Sequence, residues 1–282
     1  DIQIHAPKLA LTEEWVKKHN IHQLVIAIQG LSPTRKVEIS EAAIALGLDV
    51  KVVPPYRKWV DGSITTNQLR KIKIEDLLQR NKIELDNTNI LGAVEGKSIL
   101  VTGAAGSIGS EIARQLSYYN VDKLILIDHA ESPLYDIEQE LIEKHKSRKT
   151  IKPICEVANV KDRYRMNVLF DTYKPQLVFH AAAYKHVPII EKAPYEGIFV
   201  NVFGTRIVAD LSIEYGVEKF VMVSTDKAVN PTNVMGATKR IAELYTQSLN
   251  ELGKTKFIAT RFGNVLGSNG SVVPLFRKQI EA

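Results

Sequence analysis

Apolar residues along this chain follow two alternating periods. Short apolar runs, rich in β-branched side chains, occupy residues 24–28, 49–53, 98–102, 123–128, 151–157, 177–180, 219–224 and 256–261. Each reads as a buried strand. Between them apolar positions recur every three or four residues, over 35–46, 107–119, 134–146, 163–173, 200–215 and 236–252, as on one face of a helix. Strands joined by helices of this length call for right-handed crossovers, hence a doubly wound parallel α/β sheet over residues 96–282. Residues 1–95 read as a smaller α/β domain: Pro54, Pro55 and the polar stretch 61–68 as loop, a short amphipathic helix at 74–80, and a polar connection over 84–96.

The chain has 282 residues, 45% hydrophobic and 24% charged, which suits two globular domains and excludes a disordered tail or a disulfide-stapled mini-protein. No repeat or low-complexity tract argues for a solenoid. Cys155, the single cysteine, cannot form an internal disulfide, so a reducing cytoplasm is the simplest setting. There is no run of about 18 apolar residues and no charged-then-apolar leader. The first residue, Asp1, reads as the start of a fragment or processed form.

The net charge of +5 is concentrated in one segment. Lys144, Lys146, Arg148, Lys149, Lys152, Lys161, Arg163 and Arg165 face only Glu156 and Asp162 within it, which leaves the rest of the chain near neutrality. Such a cluster reads as a solvated rim or, in a membrane-associated protein, as a face toward anionic lipid. Nucleic-acid binding is unsupported, because Trp15, Trp59 and the tyrosines form no stacking platform with it. The histidines lack paired spacing, so no metal site is expected, and His180 and His186 read as structural groups.

Candidate chemistry begins directly after residues 98–102, with Thr102-Gly103-Ala104-Ala105-Gly106-Ser107-Ile108-Gly109 opening a helix. Glycines let backbone approach a pyrophosphate closely, and a helix N-terminus offers free N–H groups to it. Asp128, 19 residues past Gly109 at the end of the next strand, suits the hydroxyls of an adenosine ribose. A carboxylate there repels a 2′-phosphate, and no Arg follows it, which favours NAD over NADP.

The Gly-x-x-Gly-x-x-Gly spacing resembles the extended short-chain dehydrogenase/reductase superfamily, whose members have a Rossmann fold and act largely on nucleotide sugars. His180-Ala181-Ala182-Ala183 and Asn201-Val202-Phe203-Gly204-Thr205 agree. Further motifs narrow the likeness: Ala183-Tyr184-Lys185-His186-Val187-Pro188, Ser224-Thr225-Asp226-Lys227-Ala228, Asn230-Pro231-Thr232-Asn233, Gly236-Ala237-Thr238-Lys239 and Arg261-Phe262-Gly263-Asn264-Val265-Leu266-Gly267-Ser268. They resemble the UDP-N-acetylglucosamine 4,6-dehydratases of bacterial polysaccharide and glycan synthesis, in their long, membrane-associated form.

That resemblance implies NAD-dependent loss of water from a UDP-sugar, with a 4-keto-6-deoxy product. It implies cofactor contacts at Gly103, Ala105, Gly106, Ser107, Ile108, Gly109, Asp128, Ala181, Ala182 and Lys239, and substrate contacts at Lys185, Asn201, Asn264, Ser268, Ser271 and Pro274. Asp226 would be the acid for the 6-hydroxyl and Lys227 the base for C5, which requires a protonated carboxyl and a neutral amine. In isolation the two residues are an ordinary exposed pair in a turn. Met235 stands where the superfamily keeps the tyrosine of its Tyr-x-x-x-Lys pair. A thioether has no proton to exchange, so Thr225 is left for the 4-hydroxyl. This departure argues against a 4-epimerase or 4-ketoreductase; a catalytically silent NAD-binding regulatory protein is the other alternative. The family further implies a homo-oligomer as one option and location at the cytoplasmic face of the bacterial inner membrane, through segments absent here. It also implies a C-terminal portion that closes over UDP and is expected to be missing after Ala282.

Overall fold

The computed structural model describes residues 10–28, 30–53, 70–71, 87–144 and 153–265. The chain forms two compact units, Asp1–Leu85 and Asp86–Ala282.

In the first unit, helix α1 (Glu13–Lys18) precedes strand β1 (Gln23–Ile26), helix α2 (Pro33–Ala45) and strand β2 (Asp49–Val52). Ser32 caps α2 by accepting a hydrogen bond from Arg35 N, and Pro33 supplies a pre-set first turn. β1 and β2 pair in parallel from Gln23↔Asp49 to Ile26↔Val52, and the short β3 (Arg70–Lys71) pairs antiparallel with β2. Val16, Ile26, Ala43, Leu48, Val50 and Val52 form the core. The loop expected around Pro54, Pro55 and 61–68, the helix at 74–80 and Trp59 lie outside the described residues.

In the second unit, helix α3 (Asn87–Val94) comes first. Ile90, Ala93 and Val94 pack on this unit's core, so a segment with the polarity of a connection belongs to the larger fold. There follow β4 (Ser98–Thr102), α4 (Ser107–Leu116), β5 (Lys123–Asp128), α5 (Glu131–Lys144), β6 (Ile154–Val157), α6 (Arg163–Tyr173) and β7 (Leu177–His180). The chain continues through α7 (Val187–Lys192), α8 (Pro194–Gly197), α9 (Thr205–Glu214), β8 (Lys219–Thr225), α10 (Val234–Ser248) and β9 (Lys256–Phe262). The strands pair in parallel in the order β6-β5-β4-β7-β8-β9.

Burial explains the continuous apolar runs. Every residue of β4 is buried, because helices cover both faces of the sheet. Its alternate side chains enter opposite cores: Ile99 and Val101 join Ala113, Leu116 and Leu141, whereas Leu100 joins Met166, Phe170 and Phe220.

The helical pattern over 200–215 resolves into π-helical turns over Ile198–Gly204, followed by α9. The pattern over 236–252 becomes α10, begun by Asn233 as its cap, and a 3₁₀ turn over Leu249–Leu252. Of the basic cluster, four members are described and each faces an acid. Lys144 pairs with Glu140, Lys161 with Glu196 at 3.6 Å, Arg163 with Glu214 and Arg165 with Glu156 at 2.6 Å. Lys146, Arg148, Lys149 and Lys152 lie outside the described residues.

At the end of β7, His180 is fully buried between two threonines. Thr205 donates its hydroxyl to Asn201 O at 2.7 Å, so it accepts from His180 Nε2 at 2.9 Å; Nδ1 in turn accepts from Thr102 Oγ1 at 2.8 Å. The ring is therefore neutral, and burial, with the Lys239 charge nearby, pushes its pKa down to about 3. An unfolded histidine takes a proton near pH 6.5, so the unfolded state binds more protons and stability falls as pH drops through this window. Denaturant titrations at pH 7, 6, 5 and 4 are expected to give wild type a steeper acid loss than His180→Gln, by up to about 1.4 kcal/mol per pH unit. Parallel curves would remove this role.

Candidate functional site

The sheet reverses its order between β4 and β7, where outgoing chains diverge and leave a crevice at the carboxyl edge. After β4 the backbone turns at Gly103 with φ +66°, and a Cβ there would lie 2.5 Å from Ala182 N. A Cβ on Gly109 would lie 2.1 Å from Gly103 O, so α4 can start against the turn only without one. Gly106 caps α4, whose first-turn N–H groups have no partner within the helix. Asp128 is buried at the end of β5 and accepts from Ala105 N at 3.0 Å and Ala130 N at 2.9 Å, tying the glycine turn to the strand beside it.

Two cavities meet at Gly103, Gly106 and Ala181. The smaller, about 250 Å³, is bordered by Ala105, Asp128 and Ala182. Ser107, Ile108 and Gly109 border the larger, about 510 Å³. All ten positions that resemblance implies for the cofactor line one cavity or the other.

Across the larger cavity, β8 ends at Thr225, whose hydroxyl donates to Asp226 Oδ1 at 2.9 Å. Lys227 Nζ donates to the same oxygen at 3.2 Å and to Asn264 Oδ1 at 3.4 Å. Gly236 allows the start of α10 to press on this turn, since a Cβ would meet Lys227 O at 2.4 Å. The Thr225 hydroxyl, then the Lys227 ammonium, hold Asp226 below the usual carboxylate range, and side chains 57% and 36% exposed keep the pair solvated.

Lys239 lies on the cavity floor, 4% exposed, with Nζ donating to Val223 O at 2.7 Å. Burial pushes its pKa down to about 8, against the opposing charge of Glu243. Met235 is buried four residues earlier and lines the same space. Lys185 lines the opposite wall, and so does His186, which spacing alone assigns a structural place. His186 is exposed there; its position just past a strand's carboxyl end is the signal that marks it. Tyr184 and Phe262 also line the cavity; both stand inside the motifs quoted above, which assign them no role.

Asn201 corrects the expectation of a substrate contact. It is fully buried; Oδ1 accepts from Tyr184 N at 2.8 Å, while Nδ2 donates to Tyr184 O at 3.0 Å and Thr238 Oγ1 at 3.0 Å. The amide thus fastens the Tyr184–Lys185 loop to α10 beside Lys239. Ser268, Ser271 and Pro274 lie outside the described residues. Among the described residues, no group of three or more His, Cys, Asp or Glu could hold a metal ion, and no helix is long and apolar enough to cross a membrane.

Sheet order, glycine turn and carboxyl-edge crevice define a Rossmann-like domain of the extended short-chain dehydrogenase/reductase type. The chain belongs to the polysaccharide biosynthesis protein family, whose pattern it matches over residues 99–282. It is 48% identical over 270 residues to the capsular polysaccharide biosynthesis protein CapD of Staphylococcus aureus, covering 95% of this chain and 45% of that one. Over 189 residues it is 39% identical to a UDP-N-acetylglucosamine 4,6-dehydratase (inverting) of Campylobacter jejuni, covering 66% of this chain and 54% of that one. The crystal structure of Thermotoga maritima UDP-glucose 4-epimerase with UDP-glucose is similar at TM-score 0.51 and 28% identity, covering 60% of this chain and 56% of that one. The chain thus spans about half the length of these relatives.

Removing the Asn201 amide leaves buried backbone groups of Tyr184 unpaired. Asn201→Ala is expected to lower unfolding free energy by about 2–4 kcal/mol in urea titrations; a loss below about 1 kcal/mol would contradict this fastening role.

Proposed function

We propose that this chain carries the cofactor half and the reacting groups of a nucleotide-sugar 4,6-dehydratase acting on UDP-N-acetylglucosamine. One observation carries the reading. Thr225 and Lys227 line the same cleft as the glycine turn, with the Asp226 carboxylate bonded to both, and a thioether, Met235, occupies the place four residues before Lys239.

A dinucleotide fits the first half of the cleft. Gly103, Gly106 and Gly109 leave space that side chains would fill, and α4 points its N-terminus there, as a pyrophosphate requires. Asp128 Oδ2, bonded only to Ala105 N, keeps a second lone pair for a ribose hydroxyl, and the carboxylate charge favours NAD over NADP. When bound, the nicotinamide supplies reversible hydride uptake at the sugar. Lys239 orients the ribose beside it.

The sugar half needs a base at C5 and an acid at the 6-hydroxyl oxygen. Lys227 Nζ and Asp226 Oδ1 are already 3.2 Å apart. Excluding water from an ammonium–carboxylate pair favours proton transfer within it, which yields the amine and the acid that dehydration requires. Lys227 then takes the C5 proton and Asp226 delivers its proton to the leaving hydroxyl. Thr225 Oγ1 relays the 4-hydroxyl proton to solvent, Lys227 gives its proton back to C5 once water has left, and Asn264 and Lys185 steer the sugar diphosphate. A 4-epimerase shares the cofactor half of such a cleft, but Met235 cannot serve as its proton-exchanging group.

With NAD and UDP-N-acetylglucosamine, the expected product is a nucleotide sugar lighter by one water by mass spectrometry. An isomer of unchanged mass or a hydride-reduced product contradicts the assignment. Lys227→Ala is expected to lower turnover by about 100-fold or more, with calorimetric NAD affinity held within about twofold, since that lysine faces the sugar half. Unchanged turnover would remove Lys227 as the base.

A further inference from the structure

Beneath Lys239 lies a second charged group that the chemistry above does not use. Glu243 stands one turn further along α10 and is fully buried, where an unpaired carboxylate is costly. Arg261 of β9 forks it, Nε donating to Oε1 at 2.9 Å and Nη2 to Oε2 at 2.6 Å. Arg240 Nη1 reaches Oε2 at 3.5 Å. Burial alone would raise the Glu243 pKa, yet the Arg261 fork holds it below the usual carboxylate range. One carboxylate therefore joins α10 to the end of β9. β9 continues into Gly263 and Asn264, which border Asp226 and Lys227.

We propose that Glu243 and Arg261 are a positioning pair for Lys239, pinning α10 against β9 and holding the lysine as a cation at the Val223 carbonyl. The inference rests on the reading above only for what Lys239 touches. Glu243 and Lys239 lie four apart on one helix, so the carboxylate is the counter-charge for an ammonium that burial drives toward neutrality. The other groups around α10 do not replace it. Arg240 and Arg261 are cations, and His180 of β7 is neutral. β8 presents the uncharged Val223 carbonyl and Ser224 hydroxyl. Lys227 and Asp226 neutralise each other across the cleft. Glu191 of α7 is committed to Val234 N at the start of α10, and Asp210 of α9 to Tyr245 near its end.

Opposite charges in the pair predict opposite effects. Without the carboxylate, Lys239 faces two uncompensated arginines and loses its proton more easily. Without an arginine, the carboxylate is less neutralised and the lysine keeps its proton longer. Side-chain ¹³C/¹⁵N NMR of lysines in the full chain, with Lys239→Arg to assign the signal, reads this directly between pH 6 and 10. Glu243→Gln is expected to lower the Lys239 midpoint by about one pH unit, and Arg261→Met and Arg240→Gln to raise it by about half a unit. Equal midpoints, or shifts of one sign in all variants, would overturn the proposal, since loss of packing alone has no reason to reverse sign with charge. Arg240 is partly exposed, so Arg240→Gln is the mildest change. Should the other variants not fold, an unmoved midpoint in Arg240→Gln overturns the proposal by itself. The titration needs no turnover, so the pair can fail while the dehydratase reading stands, and the reverse.

Discussion

Backbone passing against backbone, with no room for a side chain, is the constraint on which the larger unit depends. Gly103 touches the chain leaving β7, and Gly109 touches Gly103. Such an approach requires β4 and β7 to lie side by side with their continuations turning apart, which is what the reversal of strand order provides. The start of α4, the bond from Ala105 to Asp128 and the meeting of the two cavities all follow from that contact. The Thr225 turn reaches the same crevice because β8 is the next parallel strand beyond β7.

The second constraint is electrostatic. Lys239 and Glu243 are buried on one face of α10, and His180 is buried beneath them as a neutral ring. Three ionisable groups in a dry interior persist only because each has fixed hydrogen-bond partners: Val223 O, the Arg261 fork, and the Thr102 and Thr205 hydroxyls. By contrast, Asp226 and Lys227 stand in solvent, where their pairing is weak and their protons can be redistributed when water is excluded.

Strand positions were legible in the sequence because β4, β5 and β7 are largely buried on both faces and read as unbroken apolar runs, while β8 and the edge strand β9 keep a shorter apolar stretch. The glycine turn and the Thr225-Asp226-Lys227 segment were legible for a different reason: they are short motifs of particular residue types at local spacing. What local spacing cannot express was missed. The π-helical turns at Ile198–Gly204 carry Asn201, which reaches Tyr184 and Thr238, contacts 17 and 37 residues away in the chain. Glu243 looked like any helical glutamate, since its partner Arg261 is 18 residues further on. The basic segment also changes meaning: its described members meet acids from α5, β6, α8 and α9, so their charge is largely answered within the fold.

The proposed dehydration removes hydrogen from C4 of a UDP-sugar and returns it at C6 after water has left, within one cleft. UDP-N-acetylglucosamine carrying deuterium at C4 tests this most directly. Turnover with NAD, followed by NMR of the product, is predicted to give a 4-keto-6-deoxy sugar with the deuterium at C6. Deuterium retained at C4 in an isomer, or absent from the deoxy product, would contradict it.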